Sequence, residues 1–216
     1  MHGTRGILVS DFDSTVTRHD FYNLVRERWP IPPEDDPWEQ YVTGTITHFE
    51  ALAQIFSRIR TSEAELRDIA DSMELDPAFA SSVHALQENG WEVIIASAGC
   101  AWYIDYLLAR TGVSIKVYSN PGTFDPASGL QMTLPVDSPF LDPSTGVDKL
   151  AITRDALQRS AFVAFAGDGR PDFAPSLLVP SGRRFARGWL AGALEESGEP
   201  FLPFASWEAI ARTLLC

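Results

Sequence analysis

The sequence predicts an α/β protein built on a parallel sheet, with a helical insert after the first strand. The main observation is the order of its segments, because apolar runs of strand length alternate with segments of helical periodicity. The composition agrees, since 45% of the residues are hydrophobic and 21% are charged, as in ordinary globular proteins. A chain of 216 residues fits one large domain, or a core with a smaller insert.

Six segments have the short length and the β-branched or aromatic content that are typical of strands. In chain order they are residues 6–10, 92–97, 114–118, 161–166, 177–179 and, at the sheet edge, 184–186. Helices are predicted between or after them, at residues 78–89, 101–110, 147–158, 188–196 and 206–214. Gly90 directly follows the first of these helices, as a C-cap glycine does. Pro-Gly and Ser-Gly pairs within residues 120–134 predict a hairpin.

The connection between the first two strands, at about eighty residues, is too long for an ordinary crossover. Three helices are predicted within it, at residues 19–28, 47–60 and 62–72. Prolines break the chain after the first of them, and Thr47 and Glu50 have capping-box spacing at the start of the second. We therefore expect residues 18–85 to form a helical cap over the strand ends, on a core of residues 1–17 and 86–216.

The charge balance narrows the expected partners. Seventeen basic residues against 29 acidic ones give a formal charge of -12, which argues against nucleic acid and anionic membrane surfaces. No stretch approaches about 18 apolar residues, and residues 1–5 lack the apolar region of a signal peptide, so we expect a cytoplasmic protein. Cys100 and Cys216 are too few for a disulfide framework, and we expect Cys100 to fill a small apolar space.

Two acids follow the first strand. Asp11 and Asp13 come directly after its apolar run, and in open α/β sheets ligands bind at the carboxyl ends of the strands. Both carboxylates would point to the same side of an extended segment, close enough to share a cation or to divide acid and nucleophile roles. The pair alone is a weak signal, because surface strand ends often carry two acids.

Two further polar positions would lie beside Asp11 in such a sheet. Ser97 ends the second strand, where its hydroxyl and the backbone N–H of Ala98 could donate to a phosphate oxygen, although such a serine is usually a plain N-cap. Lys149 stands near a helix start, where the macrodipole disfavours a cation unless an anionic partner is present. A solvated surface lysine is the alternative.

The most specific segment is Gly167-Asp168-Gly169-Arg170-Pro171-Asp172, which follows an apolar strand. Its glycines allow a tight turn, and Pro171 places Asp172 in a first helical turn. Two acids on such a loop are typical of a hard-cation site, because Mg²⁺ prefers one or two carboxylates together with waters and substrate oxygens.

Together these residues predict a Mg²⁺-dependent phosphatase. We expect Mg²⁺ to be held by Asp11, the backbone carbonyl of Asp13 and Asp168, with Asp172 in support. Asp11 would attack phosphorus and carry an aspartyl phosphate, while Asp13 would protonate the leaving oxygen and later take a proton from water. The side chains and amide that would hold the phosphoryl group belong to Ser97, Ala98 and Lys149.

These four motifs, in this order over nearly the whole chain, resemble those of the haloacid dehalogenase superfamily phosphatases. The resemblance implies a Rossmann-like core, a bound Mg²⁺ and an aspartyl-phosphate intermediate. The acid at Asp13 is similar to that of the phosphatase branches, and the dehalogenases lack it.

The insert looks like the cap of the phosphoserine-phosphatase-like group, in which a Glu and an Arg hold the amino-acid end of the substrate. Asp20 and Gln54 take the corresponding positions here, and an exposed helix face is the alternative for both. Because a neutral Gln gives no charged, bidentate grip on a carboxylate, we expect phosphoserine to be a poor substrate.

Residues 45–56, 185–190 and 201–204 are more similar to the methionine-salvage phosphatases, which act on 2-hydroxy-3-keto-5-methylthiopentenyl 1-phosphate. Ser14 stands where that group usually has glycine. The segment after Gly99 also differs from the sequence that is usual in the group. We expect a small phosphorylated metabolite as substrate, with phosphoserine as the alternative.

Several other side chains have two interpretations. His19 and His48 are expected to be solvated or locally bonded rather than in contact with substrate, and Arg187 to form a surface ion pair rather than to reach the phosphate. Packing between cap helices is the simpler expectation for the cap aromatics Phe21, Tyr22, Phe49 and Phe56.

Two other functions stay open. A phospho-accepting signalling receiver is disfavoured, because it lacks so long a cap and accepts phosphate at a later strand. A catalytically idle interaction protein is disfavoured, because all motif residues are present. The oligomeric state is left open between monomer and homodimer.

Overall fold

A six-stranded sheet organises the computed structural model, which describes residues 5–216. Within these residues the strands, in chain order, are β1 (Gly6–Ser10), β2 (Trp91–Cys100), β3 (Lys116–Asn120), β4 (Gly122–Asp125), β5 (Gly129–Met132), β6 (Leu141–Asp142), β7 (Gly146–Val147), β8 (Val163–Gly167), β9 (Arg184–Ala186) and β10 (Leu202–Pro203). The sheet order is β10-β9-β8-β1-β2-β3, and every pairing in it is parallel. The predicted fold class, α/β with a parallel sheet, is therefore confirmed.

Helices pack on both faces of this sheet and over the carboxyl ends of its strands. They are α1 (Phe21–Arg28), α2 (Pro37–Val42), α3 (His48–Phe56), α4 (Glu63–Asp71), α5 (Phe79–Glu88), α6 (Ala101–Ala109), α7 (Lys149–Arg159), α8 (Phe173–Ser176), α9 (Gly188–Glu196) and α10 (Trp207–Leu215). The alternation of side chains along β1 explains the two layers, since Leu8 packs into one apolar cluster while Ile7 and Val9 pack into the other. All five residues of β1 are buried, which places the acids that follow it at the centre of the sheet edge.

At the far side of the sheet one predicted strand is absent, and the edge position predicted for another strand was wrong. Residues 177–179 form no strand, because the amides of Leu178 and Val179 bond back to Pro175 and Ser176 and close the end of α8. Their apolar character serves packing instead, since Val179 is buried. Strand β9 is not at the edge, because β10 pairs along its outer side. The pair β4–β5 confirms the predicted hairpin.

The insert after β1 contains four helices, α1–α4, which we call the cap helices. Sequence analysis missed α2, because the prolines after α1 were taken only as breaks. Pro37 in fact occupies a helix start, and Asp36 caps it by accepting from the amide of Trp38 at 2.9 Å. Helix α3 is shorter than predicted and ends at Phe56, although its capping box from Thr47 to Glu50 is formed.

The chain enters and leaves the cap helices side by side. Thr17 and Leu75 form an antiparallel bridge, and the amides of Arg18 and His19 bond to the carbonyl of Met73 at 3.0 Å each. Helix α5, which the boundary at residue 86 would divide, packs as a whole against β2 and α10. The division into core and cap stays a prediction, and we propose that its second boundary lies before α5.

Within residues 5–216 no helix combines the length and the apolar character needed to cross a membrane. The expectation about a signal peptide falls mainly on residues 1–4, which lie outside the described residues.

Helix α10 packs against the end of β1 through Trp207, and this contact leads to a prediction about stability. Trp207 is fully buried, contacts the ring of Phe79 at 4.7 Å, and donates its indole N–H to the Ser10 hydroxyl at 3.0 Å. We expect Trp207→Ala to lower the free energy of unfolding by about 3–5 kcal/mol, because it removes a large buried ring and leaves a cavity. Urea unfolding measures this loss.

Phe162→Ala is the matched control, because its ring is 57% exposed, and it should cost less than about 1 kcal/mol. Equal losses in the two variants would contradict the anchoring role of Trp207.

Candidate active site

A cavity of about 380 Å³ opens where the carboxyl ends of β1, β2 and β8 meet the start of α7, beneath the cap helices. Its floor carries side chains from all four sequence motifs, and its roof comes from α1, α2 and α3. The structure brings together all six of the predicted site residues that bear charge: Asp11, Asp13, Asp20, Lys149, Asp168 and Asp172. Each of them lines the cavity.

Lys149 is the central cation of the floor. Its ammonium donates to Asp11 Oδ1 and to Asp172 Oδ1, at 2.6 Å in both cases, and its side chain is 3% exposed. Burial lowers the pKa of Lys149, but the two carboxylates outweigh that effect and hold the pKa above its ordinary value. The alternative of a solvated surface lysine is wrong. Helix α7 begins at Lys149 because Asp148 caps it, accepting from the amide of Ala151.

Asp172 is held from both sides. Its Oδ1 pairs with Lys149, while its Oδ2 accepts from the amides of Asp168 and Gly169 at 3.1 and 2.9 Å. Glycine is required at position 167, because a Cβ there would lie 2.5 Å from the carboxyl carbon of Asp172. Burial raises the pKa of Asp172 to about 6. Asp172 therefore fixes the ammonium of Lys149 and the loop that carries Asp168.

Carboxylate oxygens of Asp11, Asp168 and Asp172 lie within 4.8 Å of one another, which is a donor set suited to a hard divalent cation. Burial raises the pKa of Asp168 well above its ordinary value, and the charges of Asp11 and Asp172 add to the effect. Because Lys149 is the one ammonium in this group, the three carboxylates leave uncompensated negative charge. The residues present therefore fit Mg²⁺.

Asp13 points away from this group, toward the cap. Its Oδ1 accepts from the amide of Phe21 at 3.3 Å, and its Oδ2 accepts from the hydroxyls of Ser97 at 3.3 Å and Tyr103 at 3.0 Å. Burial raises its pKa well above the ordinary value, and the nearby charges of Asp20 and Asp11 add to the effect. Asp13 is thus suited to hold a proton.

The phosphate-binding residues predicted at the end of β2 also face the cavity. Ser97 and Ala98 both line it, and the Ser97 hydroxyl accepts from the amide of Gly99 at 3.0 Å. The strand register is irregular between Ala96 and Cys100, and the residues of this segment line the cavity. The buried side chain of Asn120 supports the segment by donating to the carbonyl of Ala98 at 2.8 Å.

The loop after β1 is held in an unusual conformation. Ser14 has φ of 50°, in the left-handed region that favours glycine. Thr15 donates its hydroxyl to Asp11 Oδ2 at 3.0 Å. Arg187 donates to the backbone carbonyls of Ser14 and Thr17. The expected surface ion pair of Arg187 was wrong, because this arginine braces the loop instead.

The two predicted substrate contacts from the cap have different outcomes. Asp20 caps α1 by accepting from the amide of Tyr22 at 2.7 Å, lines the cavity, and has a pKa raised by burial to about 6. The placement predicted for Gln54 was wrong. Helix α3 turns His48, Leu52 and Phe56 toward the cavity at helical spacing, so Gln54 lies on its exposed side. The argument from Gln54 against phosphoserine therefore loses its basis.

Sequence analysis missed an aromatic roof over the cavity. Trp38 stacks on Tyr22 at 4.2 Å, and His48 contacts the rings of Trp38 and Tyr41 at 5.7 and 5.2 Å. His48 was expected to be solvated or locally bonded, but it is 8% exposed, its Nδ1 has no hydrogen-bond partner among the residues that the structure describes, and it lines the cavity. Burial lowers its pKa to about 4, and the charge of Lys149 contributes in the same direction. The spacing of His48, Leu52 and Phe56 on one helix face was the signal available in the sequence.

The remaining expectations were mixed. Of the cap aromatics, Tyr22 and Phe56 line the cavity, whereas Phe21 is buried against Phe56 and Tyr103. Cys100 is buried, and burial raises the pKa of its thiol to about 12, as suits an apolar filler. Arg26 reaches the cavity with its charge paired to Asp36.

The comparison with protein families decides the class of the molecule. A family model described as "Putative Phosphatase" matches residues 6–182. The chain belongs to this phosphatase family. Membership confirms the resemblance to the haloacid dehalogenase superfamily, and it makes the protein a phosphatase.

Individual relatives agree with this assignment. The chain is 26% identical to 2-hydroxy-3-keto-5-methylthiopentenyl-1-phosphate phosphatase from Brevibacillus brevis, over 96% of this chain and 94% of that protein. It is 25% identical to a polyol phosphate phosphatase from Saccharomyces cerevisiae, over 79% and 76% of the two chains. A substrate-bound phosphoserine phosphatase structure shares the fold, with a TM-score of 0.67 at 12% identity over 96% of this phosphatase and 97% of that chain.

The burial of His48 generates a prediction about pH. Its folded pKa of about 4 lies below the ordinary value of 6.5, so the unfolded chain binds a proton that the folded phosphatase excludes. As pH falls from about 6.5 to about 4, the wild type should therefore lose about 3 kcal/mol of unfolding free energy relative to His48→Gln. Above about pH 7 the difference between the two proteins should be constant. Urea unfolding across this range measures it.

His84→Gln is the matched control, because the side chain of His84 is exposed to solvent in the folded protein. The account of His48 is wrong if the stability curves of the wild type and His48→Gln stay parallel down to about pH 4.

Proposed function

We propose that this phosphatase hydrolyses a small phosphorylated metabolite, with Asp11 as nucleophile, Asp13 as general acid and base, and Mg²⁺ as cofactor. The observation that carries the proposal is the buried group formed by Lys149 with Asp11 and Asp172, beside the carboxylate of Asp168. A buried ammonium between two carboxylates is costly to form, and a catalytic role would account for its presence. Here it sits where a phosphoryl group would meet Asp11.

The nucleophile is held in a defined orientation. Lys149 binds one oxygen of Asp11 and the Thr15 hydroxyl binds the other. In the first step a carboxylate oxygen of Asp11 bonds to phosphorus as the bond from phosphorus to the leaving oxygen breaks. The phosphoryl group is then carried on Asp11, so that one difficult hydrolysis becomes two easier steps.

Asp13 handles the proton in both steps. Its raised pKa allows it to hold a proton, which passes to the leaving oxygen as the substrate bond breaks. The Asp13 carboxylate then takes a proton from water while the water oxygen attacks phosphorus. That attack breaks the bond to Asp11 and releases inorganic phosphate, so both acids return to their starting forms.

Hydrogen-bond donors of this chain would bind the negatively charged oxygens of the phosphoryl group. Lys149, Ser97 and Ala98 all line the cavity, and their ammonium, hydroxyl and backbone amide would hold the phosphoryl oxygens. Asp11, Asp168 and Asp172, with the backbone carbonyl of Asp13 as proposed from the sequence, would hold Mg²⁺. When bound there, its contribution would be to neutralise the negative charge of these groups and of the transferring oxygens.

The cavity supports a substrate whose leaving group is uncharged and partly apolar. The roof presents Tyr41, Leu52 and Phe56 beside the neutral imidazole of His48, while Asp20 disfavours a substrate carboxylate. These features suit 2-hydroxy-3-keto-5-methylthiopentenyl 1-phosphate, the substrate in the name of the Brevibacillus brevis relative. Phosphoserine, which carries a carboxylate and an ammonium, is the alternative.

Two further expectations belong to this proposal. We keep a cytoplasmic location and a monomer or homodimer as the state of the enzyme, with neither nucleic acid nor membrane as partner. A phospho-accepting receiver is disfavoured, because Asp11 follows the first strand rather than a later one and because the chain belongs to a phosphatase family. Turnover of substrate distinguishes an enzyme from a receiver, which would accumulate phosphate without releasing it.

Asp11→Asn tests the nucleophile. We expect kcat with p-nitrophenyl phosphate to fall at least about 10³-fold, because a neutral amide does not attack phosphorus. Chelation with EDTA should abolish turnover of the wild type, and added Mg²⁺ should restore it. Asp105→Asn is the matched control, since Asp105 lies on exposed helix surface and should keep full activity. Undiminished turnover by Asp11→Asn would exclude the proposed chemistry.

A panel of phosphorylated metabolites tests the substrate class. We expect kcat/KM for 2-hydroxy-3-keto-5-methylthiopentenyl 1-phosphate to exceed that for phosphoserine at least about tenfold, because an uncharged leaving group avoids the repulsion from Asp20. Polyol phosphates should lie between the two. A preference for phosphoserine would contradict the proposed substrate class and leave the phosphatase mechanism intact.

A further inference from the structure

The hydroxyl of Tyr103 has no role in the mechanism described so far, yet it lies against the proposed general acid. Tyr103 stands on α6, is 1% exposed, and donates to Asp13 Oδ2 at 3.0 Å. The donor comes from a different element than Asp13, across the end of the sheet. This contact was not expected from the sequence.

The backbone beside this contact is shaped to permit it. A Cβ at Gly99 would lie 1.9 Å from the Tyr103 hydroxyl oxygen and 2.7 Å from Asp13 Oδ2. Any residue other than glycine would therefore push the hydroxyl and the carboxylate apart. The contact between Tyr103 and Asp13 therefore depends on glycine at position 99.

The ring of Tyr103 is also fixed in place. Phe21 stacks on it at 4.2 Å, and Phe56 meets it edge-on at 6.5 Å. The amide of the same Phe21 donates to Asp13 Oδ1 at 3.3 Å. Asp13 is thus held from one side by Phe21 and from the other by Tyr103, with the Ser97 hydroxyl also on Oδ2 at 3.3 Å.

This arrangement distinguishes the two oxygens of Asp13. Oδ2 accepts from two hydroxyls, whereas Oδ1 has one long bond to a backbone amide. A proton held by Asp13 is therefore better placed on Oδ1, which leaves Oδ2 as the acceptor. The Tyr103 hydroxyl is the donor in its contact with Oδ2, so it keeps its own proton there.

We propose that Tyr103 is a positioning residue for Asp13, whose hydroxyl orients the carboxyl group so that its proton faces the leaving oxygen of the substrate. The inference rests on the proposed function, in which Asp13 is the general acid. It deepens that function by assigning the orientation of the acid to a residue outside the four motifs.

The test is the dependence of kcat/KM on the leaving group. This parameter reports the steps up to transfer of the phosphoryl group to Asp11, in which Asp13 gives up its proton. If Asp13 is no longer oriented, kcat/KM for p-nitrophenyl phosphate should change little, because its leaving group departs without much protonation. The value should fall for a monoester of a primary alcohol such as glycerol 3-phosphate, whose leaving group needs the proton.

For Tyr103→Phe we expect kcat/KM to fall about tenfold with glycerol 3-phosphate and less than about twofold with p-nitrophenyl phosphate. The variant keeps the ring and its stacking on Phe21, so its thermal unfolding should stay close to that of the wild type. Tyr106→Phe is the matched control, because it removes another phenol that bonds to an aspartate, Asp71, on the exposed side of the same helix. Tyr106→Phe should leave kcat/KM unchanged with both substrates.

Equal losses with both substrates, or no loss with either, would overturn the positioning role. This failure is distinct from failure of the proposed function, which Asp11→Asn reports separately. If Asp11→Asn is inactive and Tyr103→Phe affects both substrates equally, then only the role of Tyr103 is wrong.

Discussion

The rest of the site depends on one buried ion pair network, in which the ammonium of Lys149 lies between Asp11 and Asp172. Burying a cation costs several kcal/mol, and the two carboxylates at 2.6 Å offset that cost only where their geometry is held. The fold provides this geometry. Strand β1 brings Asp11, the glycine-flanked loop after β8 brings Asp172, and α7 begins at Lys149. Neighbouring parallel strands end at one edge, so these separate segments meet there.

The same network sets the chemistry of its surroundings. Because the carboxylates outnumber the ammonium, the floor of the cavity is suited to a divalent cation and, with it, to a phosphoryl group. Asp13 is kept apart from this group by the amide of Phe21 and the hydroxyls of Ser97 and Tyr103. Two acids separated by one residue thus occupy different environments, which is how one of them serves as nucleophile and the other as proton donor.

Sequence reasoning predicted the floor of the site better than its roof. Asp11 and Asp168 follow strand ends, Lys149 begins a helix, and Ser97 lies within the last residues of β2. The topology of a parallel sheet forces such positions together. The roof depends on which faces of short helices turn inward, and nothing in a single sequence states how far α3 rotates about its axis. Gln54 was therefore misplaced, and the stacked aromatic group around His48 was not foreseen. Tyr103 was missed for a similar reason, since its contact with Asp13 depends on the space left by Gly99.

The central claim is that Asp11 carries the phosphoryl group during turnover, and its most direct measurement is peptide mapping of acid-quenched enzyme. Wild-type protein mixed with p-nitrophenyl phosphate and Mg²⁺, then quenched within a single turnover, should yield a phosphorylated peptide whose modified residue is Asp11. Borohydride reduction should convert that aspartyl phosphate to homoserine and mark the position. Phosphate found on another residue, or complete turnover with Asp11 never modified, would contradict the account.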